Sequence, residues 1–274
     1  TRVVASLMKK EGASAPSLYL RDLARLEFRP LAGTEEAMYP FWSPDGKSVA
    51  FFAGRELRCI ELADGIVRVI CKAPAGRGGT WGTQGTIVFA PSAVGGLSIV
   101  DESGGVASPI TEPAEPEESH RVPQMLPDGR RFLYYSQNTS KPGVYVFDPA
   151  NKQARRVVEC LTEAVFVEPS ELVFARDENL VVQPFDLDRL ELTGSPKPIA
   201  AGVQWDSRRV ALNMGLSARG ALVYQPVARA GTYKLAWMDR KGERTLLPIE
   251  PLAVGAATLS ADGRREAWLV FTEL

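Results

Sequence analysis

Apolar positions along this chain come in short runs, and each run breaks on a polar turn before the next begins. The stretch YPFWSPDGKSVAFFAG, from Tyr39 to Gly54, sets the type, and VPQMLPDGRRFLYYSQ from Val122 and AATLSADGRREAWLVF from Ala256 repeat it. In Ser-Pro-Asp-Gly the Pro presets the first turn residue, the Asp bonds the backbone, and the Gly takes the positive φ that closes a hairpin. The turn glycines are Gly46, Gly85, Gly129, Gly220 and Gly263, and EPSE at 168–171 stands in for the turn between the third and fourth of them. A short apolar strand precedes each turn: PFWS, GGTW, PQML, VFVE, LNMGLS and ATLS. An alternating strand follows: SVAFFA, TIVFAP, RFLYYS, LVFAR, ALVYQ and EAWLVF. Third strands (LRCIEL, GLSIVD, GVYVFD, LVVQPFD, YKLAWMD) and fourth strands (VRVIC, SPIT, RRVVE, PKPIA, RTLLPI) complete the units.

Gly46 to Gly85 is 39 residues and Gly85 to Gly129 is 44. Four antiparallel strands at such a period predict a β-propeller, and the alternation of apolar residues excludes a helical repeat. The expected fold is all-β: six four-stranded antiparallel blades in a single domain, 1–274. SLYLRDL and FRPLAG near the N-terminus have no first strand of their own, and the last strands have no third or fourth after them. The two ends therefore predict one shared closing blade, 1–33 plus 255–274, which shuts the ring and removes open sheet edges. The other blades fall at about 34–76, 77–115, 116–162, 163–204 and 205–254. Either VVASLMK (3–9) or EAWLVF can be the second strand of the closing blade.

Charge changes the picture little. Lys and Arg total 32 against 33 Asp and Glu, a formal charge of −1, which argues against a generally basic nucleic-acid surface. No apolar run is long enough to span a bilayer, so no membrane insertion is expected within this segment. The chain starts at Thr1 without an initiator Met or a secretory signal, as a processed or excised piece would. Cys59, Cys71 and Cys160 have no metal-ligand spacing. Cys59 and Cys71 fall diagonally on neighbouring strands, which predicts buried free thiols rather than a disulfide.

The units resemble the Tol-type (TolB-like, WD-repeat-like) propeller repeat, whose hallmark is a strand followed by Ser-Pro-Asp-Gly-Lys. A closer resemblance is to the propellers of acidobacterial serine/threonine protein kinases, carried by SLYLRDL (17–23), RPLAGTE (29–35), YPFWSPDGKSVAFFA (39–53), PQMLPDGRRFLYYS (123–136) and LVVQPFDLDRLELTGSP (180–196). That resemblance implies an extracytoplasmic (periplasmic) domain, tethered by a membrane helix outside this segment and acting as a sensor. GTQG (82–85) and EPSE depart from the repeat pattern. The chain has no Gly-rich phosphate loop, His-Arg-Asp stretch or Asp-Phe-Gly, and no Gly-x-Ser-x-Gly elbow, so kinase and hydrolase motifs are absent. No catalytic residue, metal site or cofactor is expected.

Candidate binding residues follow from position. Glu36 (with Glu35), Arg77, His120, Arg121, Glu163 and Arg208 (with Arg209) all come just before successive first strands, at one end of the expected ring. Polar groups converging on a channel mouth suit a small ligand, and guanidinium forks favour an anion. The alternatives are ion pairing between blades and, for His120, a loop histidine bonded to backbone or a carboxylate. TEPAEPEES (111–119) reads as a solvated acidic loop. Trp42, Trp81, Phe166 and Tyr134 read as packing between blades. Three functions stay open: a non-catalytic sensor of a small anionic ligand, a TolB-like periplasmic scaffold for an envelope protein, and a propeller enzyme with a channel metal. The isolated domain is expected to be monomeric.

Overall fold

The computed structural model describes residues 2–7, 15–22, 28–114, 118–176 and 179–201, and beyond them the backbone of short strands between 205 and 271. Every regular element among the described residues is a strand. β1 (Arg2–Leu7), β2 (Ser17–Asp22) and β3 (Phe28–Pro30) are followed by the meander β4 (Met38–Trp42), β5 (Ser48–Ala53), β6 (Glu56–Glu61) and β7 (Val67–Lys72). The next meanders are β8 (Gly79–Trp81), β9 (Thr86–Phe89), β10 (Ser98–Asp101), β11 (Ser108–Pro109), and β12 (His120–Met125), β13 (Phe132–Ser136), β14 (Gly143–Asp148), β15 (Gln153–Val158). β16 (Ala164–Val167), β17 (Glu171–Arg176) and β18 (Asn179–Asp186) share a sheet with two partners of β18: β19 (Glu191–Leu192) on its C-terminal end and β20 (Lys197–Ala201) on the rest. Then come the hairpin β21 (Trp205–Asp206) with β22 (Ala211–Leu212), and a sheet of β23 (Met214–Leu216), β24 (Leu222–Tyr224), β25 (Ala236–Met238) and β26 (Arg244–Leu246). β27 (Ala253–Leu259) and β28 (Arg265–Phe271) join the N-terminal strands in the order β27-β28-β1-β2-β3. β1 lies between β28, to which it is parallel, and β2, to which it is antiparallel, so both VVASLMK and EAWLVF lie in this sheet.

The core is a series of layers between consecutive sheets. β5 shows why: all six of its residues are buried. Successive side chains point to opposite faces of a strand. Val49, Phe51 and Ala53 pack with Leu18, Leu20 and Trp42 towards the N-terminal sheet. Ala50 and Phe52 pack with Phe41, Trp81 and Phe89 towards the following one. A strand clamped between two neighbours reads as a continuous apolar run, as SVAFFA does. Tyr134 sits in the next such layer with Val88 and Phe147, and Phe166 in the one after with Leu133 and Phe185. Fully burying one such Phe contributes about 1.5–3 kcal/mol. First strands meet first strands: β23 packs against β27, β27 against β4, β4 against β8 and β8 against β12. Between the last two, the Thr80 hydroxyl accepts from Met125 N–H at 3.0 Å. Gln124 then accepts from Phe166 N–H at 2.7 Å, and its amide donates to Phe166 O at 3.3 Å, so a side chain joins sheets where no strand pairing does.

The turns follow the sequence. Gly46, Gly85 and Gly129 have φ of 63°, 74° and 66°. Asp45 accepts from Lys47 N–H and Asp128 from Arg130 and Arg131 N–H, each at 2.9–3.0 Å. EPSE makes its turn through a cis Glu168–Pro169 peptide, with Val167 opposite Glu171. Gly220 and Gly263 lie outside the described residues. Valine at Gly129 is expected to cost about 1–3 kcal/mol, because a β-branched residue is strained at positive φ. Urea denaturation of Gly129→Val measures it, and an unchanged midpoint would refute the assignment.

β4 and β12 begin earlier than expected, and each carries a bulge. Tyr39 (φ 49°), Gly78 (φ 92°) and Val122 (φ 43°) are left-handed. Each lies seven residues before its turn glycine (46 − 39, 85 − 78, 129 − 122). The ladder shifts register between Met38 and Phe41 and between Arg121 and Gln124. His120 and Arg121, expected in a loop, are therefore the first two residues of β12.

Candidate functional site

The bulge sets what each predicted residue does. Arg77 and Arg121 both lie eight residues before a turn glycine (85 − 77, 129 − 121), at equivalent places in consecutive sheets. Val122 N–H donates to Arg77 O at 2.9 Å, which joins them through the backbone. The Arg77 side chain is half-buried and donates from Nη1 to Ala75 O at 3.1 Å and Gly76 O at 2.9 Å. Arg121 is buried, with Nε donating to Ser119 Oγ and Nη2 to Ala93 O at 2.9 Å. Burial, and then the charge of Arg77, lower the Arg121 pKa from its ordinary value, while Tyr39 and Tyr135 act to raise it. Arg77, Tyr39 and Tyr135 are thus each within electrostatic reach of Arg121.

His120, the residue before Arg121, is only 3% exposed. Its Nε2 lies 3.1 Å from Glu118 Oε1 and its Nδ1 2.8 Å from Thr111 Oγ1. A carboxylate only accepts, so Nε2 carries the proton and Nδ1 accepts from the Thr111 hydroxyl. That hydroxyl accepts in turn from Leu97 N–H at 2.8 Å. Glu118 also receives the Ser136 hydroxyl on Oε1 and Ala114 N–H at 2.7 Å on Oε2. The Tyr134 ring lies 4.5 Å from the imidazole, centroid to centroid. His120 therefore makes a carboxylate contact of the kind its loop alternative required, and both of its nitrogens are occupied by the protein.

Glu36 is exposed, with φ 62°. Glu163 is half-buried, and its backbone carbonyl accepts from the Thr162 hydroxyl at 3.1 Å. Arg208 and Arg209 lie outside the described residues. Sequence reasoning passed over Glu118, Thr111, Ser136 and Ser119. Glu118 was part of a run read as solvated, yet it is 6% exposed. Its signal was the spacing: Glu118 and His120, two apart on an extended chain, share a face. Thr111 has a counterpart in Thr34, whose hydroxyl accepts from Leu18 N–H at 2.9 Å and donates to Leu31 O at 2.6 Å.

Burial lowers the His120 pKa from its ordinary value, outweighing the opposite pull of Glu118. For Glu118, burial pushes the carboxyl up, but the Ser136, Ala114 and His120 hydrogen bonds bring it below its ordinary value. Both folded-state values therefore lie beneath the unfolded ones. As pH falls through the ordinary histidine value of 6.5, the unfolded chain takes up a proton the native chain refuses, and stability drops. A second loss follows below the ordinary Glu118 value of 4.5. Urea denaturation at pH 8 and pH 5 should show the first loss in the native chain and not in His120→Gln. An equal loss in both would refute it.

Among the described residues, no three of His, Cys, Asp and Glu come together as a metal ion requires. Cys59, Cys71 and Cys160 are free, and burial pushes each thiol up to about 11. Cys59 is opposite Arg68 and Cys71 opposite Leu57, the expected diagonal.

No protein-family model and no curated protein sequence matches the chain. Solved structures do. TolB from Acinetobacter baumannii superposes with a TM-score of 0.69 at 18% identity, over 97% of this chain and 66% of that one. A chain of the nidogen/laminin complex gives 0.65 at 11% identity, over 98% and 97%. The Swd1 β-propeller domain from Myceliophteria thermophila gives 0.61 at 16% identity, over 90% and 86%. The fold is a β-propeller. This chain spans 66% of the length of the Acinetobacter TolB chain.

Proposed function

We propose that this chain is a non-catalytic propeller of six blades, its ring closed by the β27-β28-β1-β2-β3 sheet, that serves as an extracytoplasmic protein-interaction scaffold. The observation that carries the non-catalytic part is the state of His120. A general base needs a free nitrogen within reach of a substrate proton. His120 is buried with Nε2 on Glu118 and Nδ1 on Thr111. The scaffold part is supported by the likeness to TolB and to a chain solved in the nidogen/laminin complex, both of which are matched over nearly all of this chain. A sensor of a kinase is the second reading, favoured by the five quoted stretches from SLYLRDL to LVVQPFDLDRLELTGSP.

The test is capture of partners from a bacterial envelope fraction by the crosslinked chain, with an unrelated propeller of equal size as control. The expected result is a protein enriched over the control that re-forms a defined complex when both components are pure. Failure to enrich any protein would overturn the scaffold reading. Stoichiometric metal in the purified chain would instead favour the enzyme with a channel metal.

A further inference from the structure

Arg77 has a feature that internal packing does not use. Both hydrogens of its Nη1 go to backbone carbonyls, Ala75 O and Gly76 O, which fixes the plane of the guanidinium. The opposite edge, Nε–H with Nη2–H, has no partner among the described residues. That edge presents two parallel donors, the complement of the two oxygens of a carboxylate. A second cation stands beside it. Arg121 is 8% exposed, and Ser119 Oγ and Ala93 O are among the groups that orient it. Its backbone is tied to Arg77 through Val122 N–H. Tyr39 of the preceding sheet and Tyr135 of the same sheet complete the surroundings, so three consecutive sheets contribute.

Fixed guanidinium groups in a partly desolvated setting repel each other and attract an anion more strongly than they would in water. We propose that Arg77 and Arg121 form an oxyanion site that receives a carboxylate of a protein partner, bound by the free Nε–Nη2 edge of Arg77 with Arg121 supplying the second charge. This inference rests on the scaffold reading and gives its partner a chemistry: an acidic segment, with free phosphate as the competing source of oxygens.

The site can be read directly from the arginine Nε–H resonances of the 15N-labelled full chain at low salt. The probes are acetyl-tetraglutamate, the neutral acetyl-tetraglutamine and inorganic phosphate. The expected result is a saturable shift of the Arg77 resonance with tetraglutamate and none with tetraglutamine. Arg77→Gln should weaken tetraglutamate at least tenfold, and Arg77→Lys, which keeps the charge but not the fork, by less. If Arg77→Gln does not fold, Arg77→Lys carries the comparison, and an affinity equal to the native chain's then overturns the fork. No saturable shift, or unchanged affinity in Arg77→Gln, overturns the site. Phosphate saturating the same resonance at lower concentration than the peptide overturns the carboxylate assignment. The two levels separate cleanly. An envelope partner captured equally by native chain and Arg77→Gln leaves the scaffold standing and removes this site from it. A shifting Arg77 resonance with no captured partner does the reverse.

Discussion

Glu118→Ala should destabilise the propeller by about 3–5 kcal/mol, the sum of two stranded buried donors and the space left by the side chain. The carboxylate receives His120 Nε2–H, the Ser136 hydroxyl and Ala114 N–H. His120 and Ser136 are 3% and 0% exposed, so neither can turn to water instead. Each unsatisfied buried donor costs about 1–3 kcal/mol. Ala114 is exposed, and its N–H can be hydrated at little cost. Glu118→Gln keeps the volume but offers only one oxygen, so its amide faces a donor at one of the two sites and part of the loss remains. The decisive measurement is a double-mutant cycle with His120→Ala by urea denaturation. Glu118 and His120 share one network, so the pair should couple by about 0.5–3 kcal/mol. Additive losses would mean that the two side chains act independently, and the network would have to be abandoned.

Much of this molecule was legible before any coordinate, and the reasons are local. Ser-Pro-Asp-Gly specifies its own hairpin: Pro, Asp and Gly each act within four residues, so Gly46 and Gly129 could be assigned positive φ from the turn alone. SVAFFA reads in the sequence as an alternating strand, yet all six of its residues are buried, because both of its faces meet a neighbouring sheet. The first-strand bulge was not legible. Tyr39, Gly78 and Val122 occupy one structural position with three unrelated side chains, and only the glycine advertises a left-handed backbone. What fixes the other two is pairing across the sheet, which no local pattern records. That omission shaped the site. Without the bulge, Glu36, Arg77, His120 and Arg121 read as one loop-borne set. With it, Glu36 lies ten residues before its turn glycine, His120 nine, and the two arginines eight. Position nine faces the interior, where Ala37 and His120 are 0% and 3% exposed and Gly76 is also buried. His120 is buried there because Glu118, Thr111 and Tyr134, drawn from other turns and strands, receive it.

Gly96→Ala should be among the most damaging single-methyl changes in the chain, costing about 3 kcal/mol or more, while Gly95→Ala next to it costs about 1 kcal/mol. The contrast separates two effects that are easily confused. Gly95 has φ 103°, so a side chain there is strained, but a Cβ would meet no atom within 4 Å. Gly96 lacks that φ, yet its Cβ would overlap the carbonyl oxygen and carbon of Thr111. Torsional strain at one residue is bounded, and the open surroundings of Gly95 let the backbone relax. Overlap with a backbone carbonyl is not relieved by a rotamer change. Either β11's connection or the loop from Pro91 to Leu97 must move. Neither is free to do so. Gly95 N–H donates to Glu118 O, and His120 N–H donates to Gly95 O, both at 2.9 Å. Leu97 is held from both its groups: its N–H donates to Thr111 Oγ1, and its O accepts from Ile110 N–H at 2.9 Å. Displacing Thr111 would therefore pull on His120 Nδ1 and so on Glu118, which extends the damage from one methyl to the whole buried network. The same displacement reaches the anion site, because Ala93 O in this loop orients Arg121. Gly96→Ala should accordingly lose the near-ultraviolet signal of its buried aromatics at lower urea than Gly95→Ala. Equal midpoints for the two variants would show that close packing against Thr111 does not govern this loop.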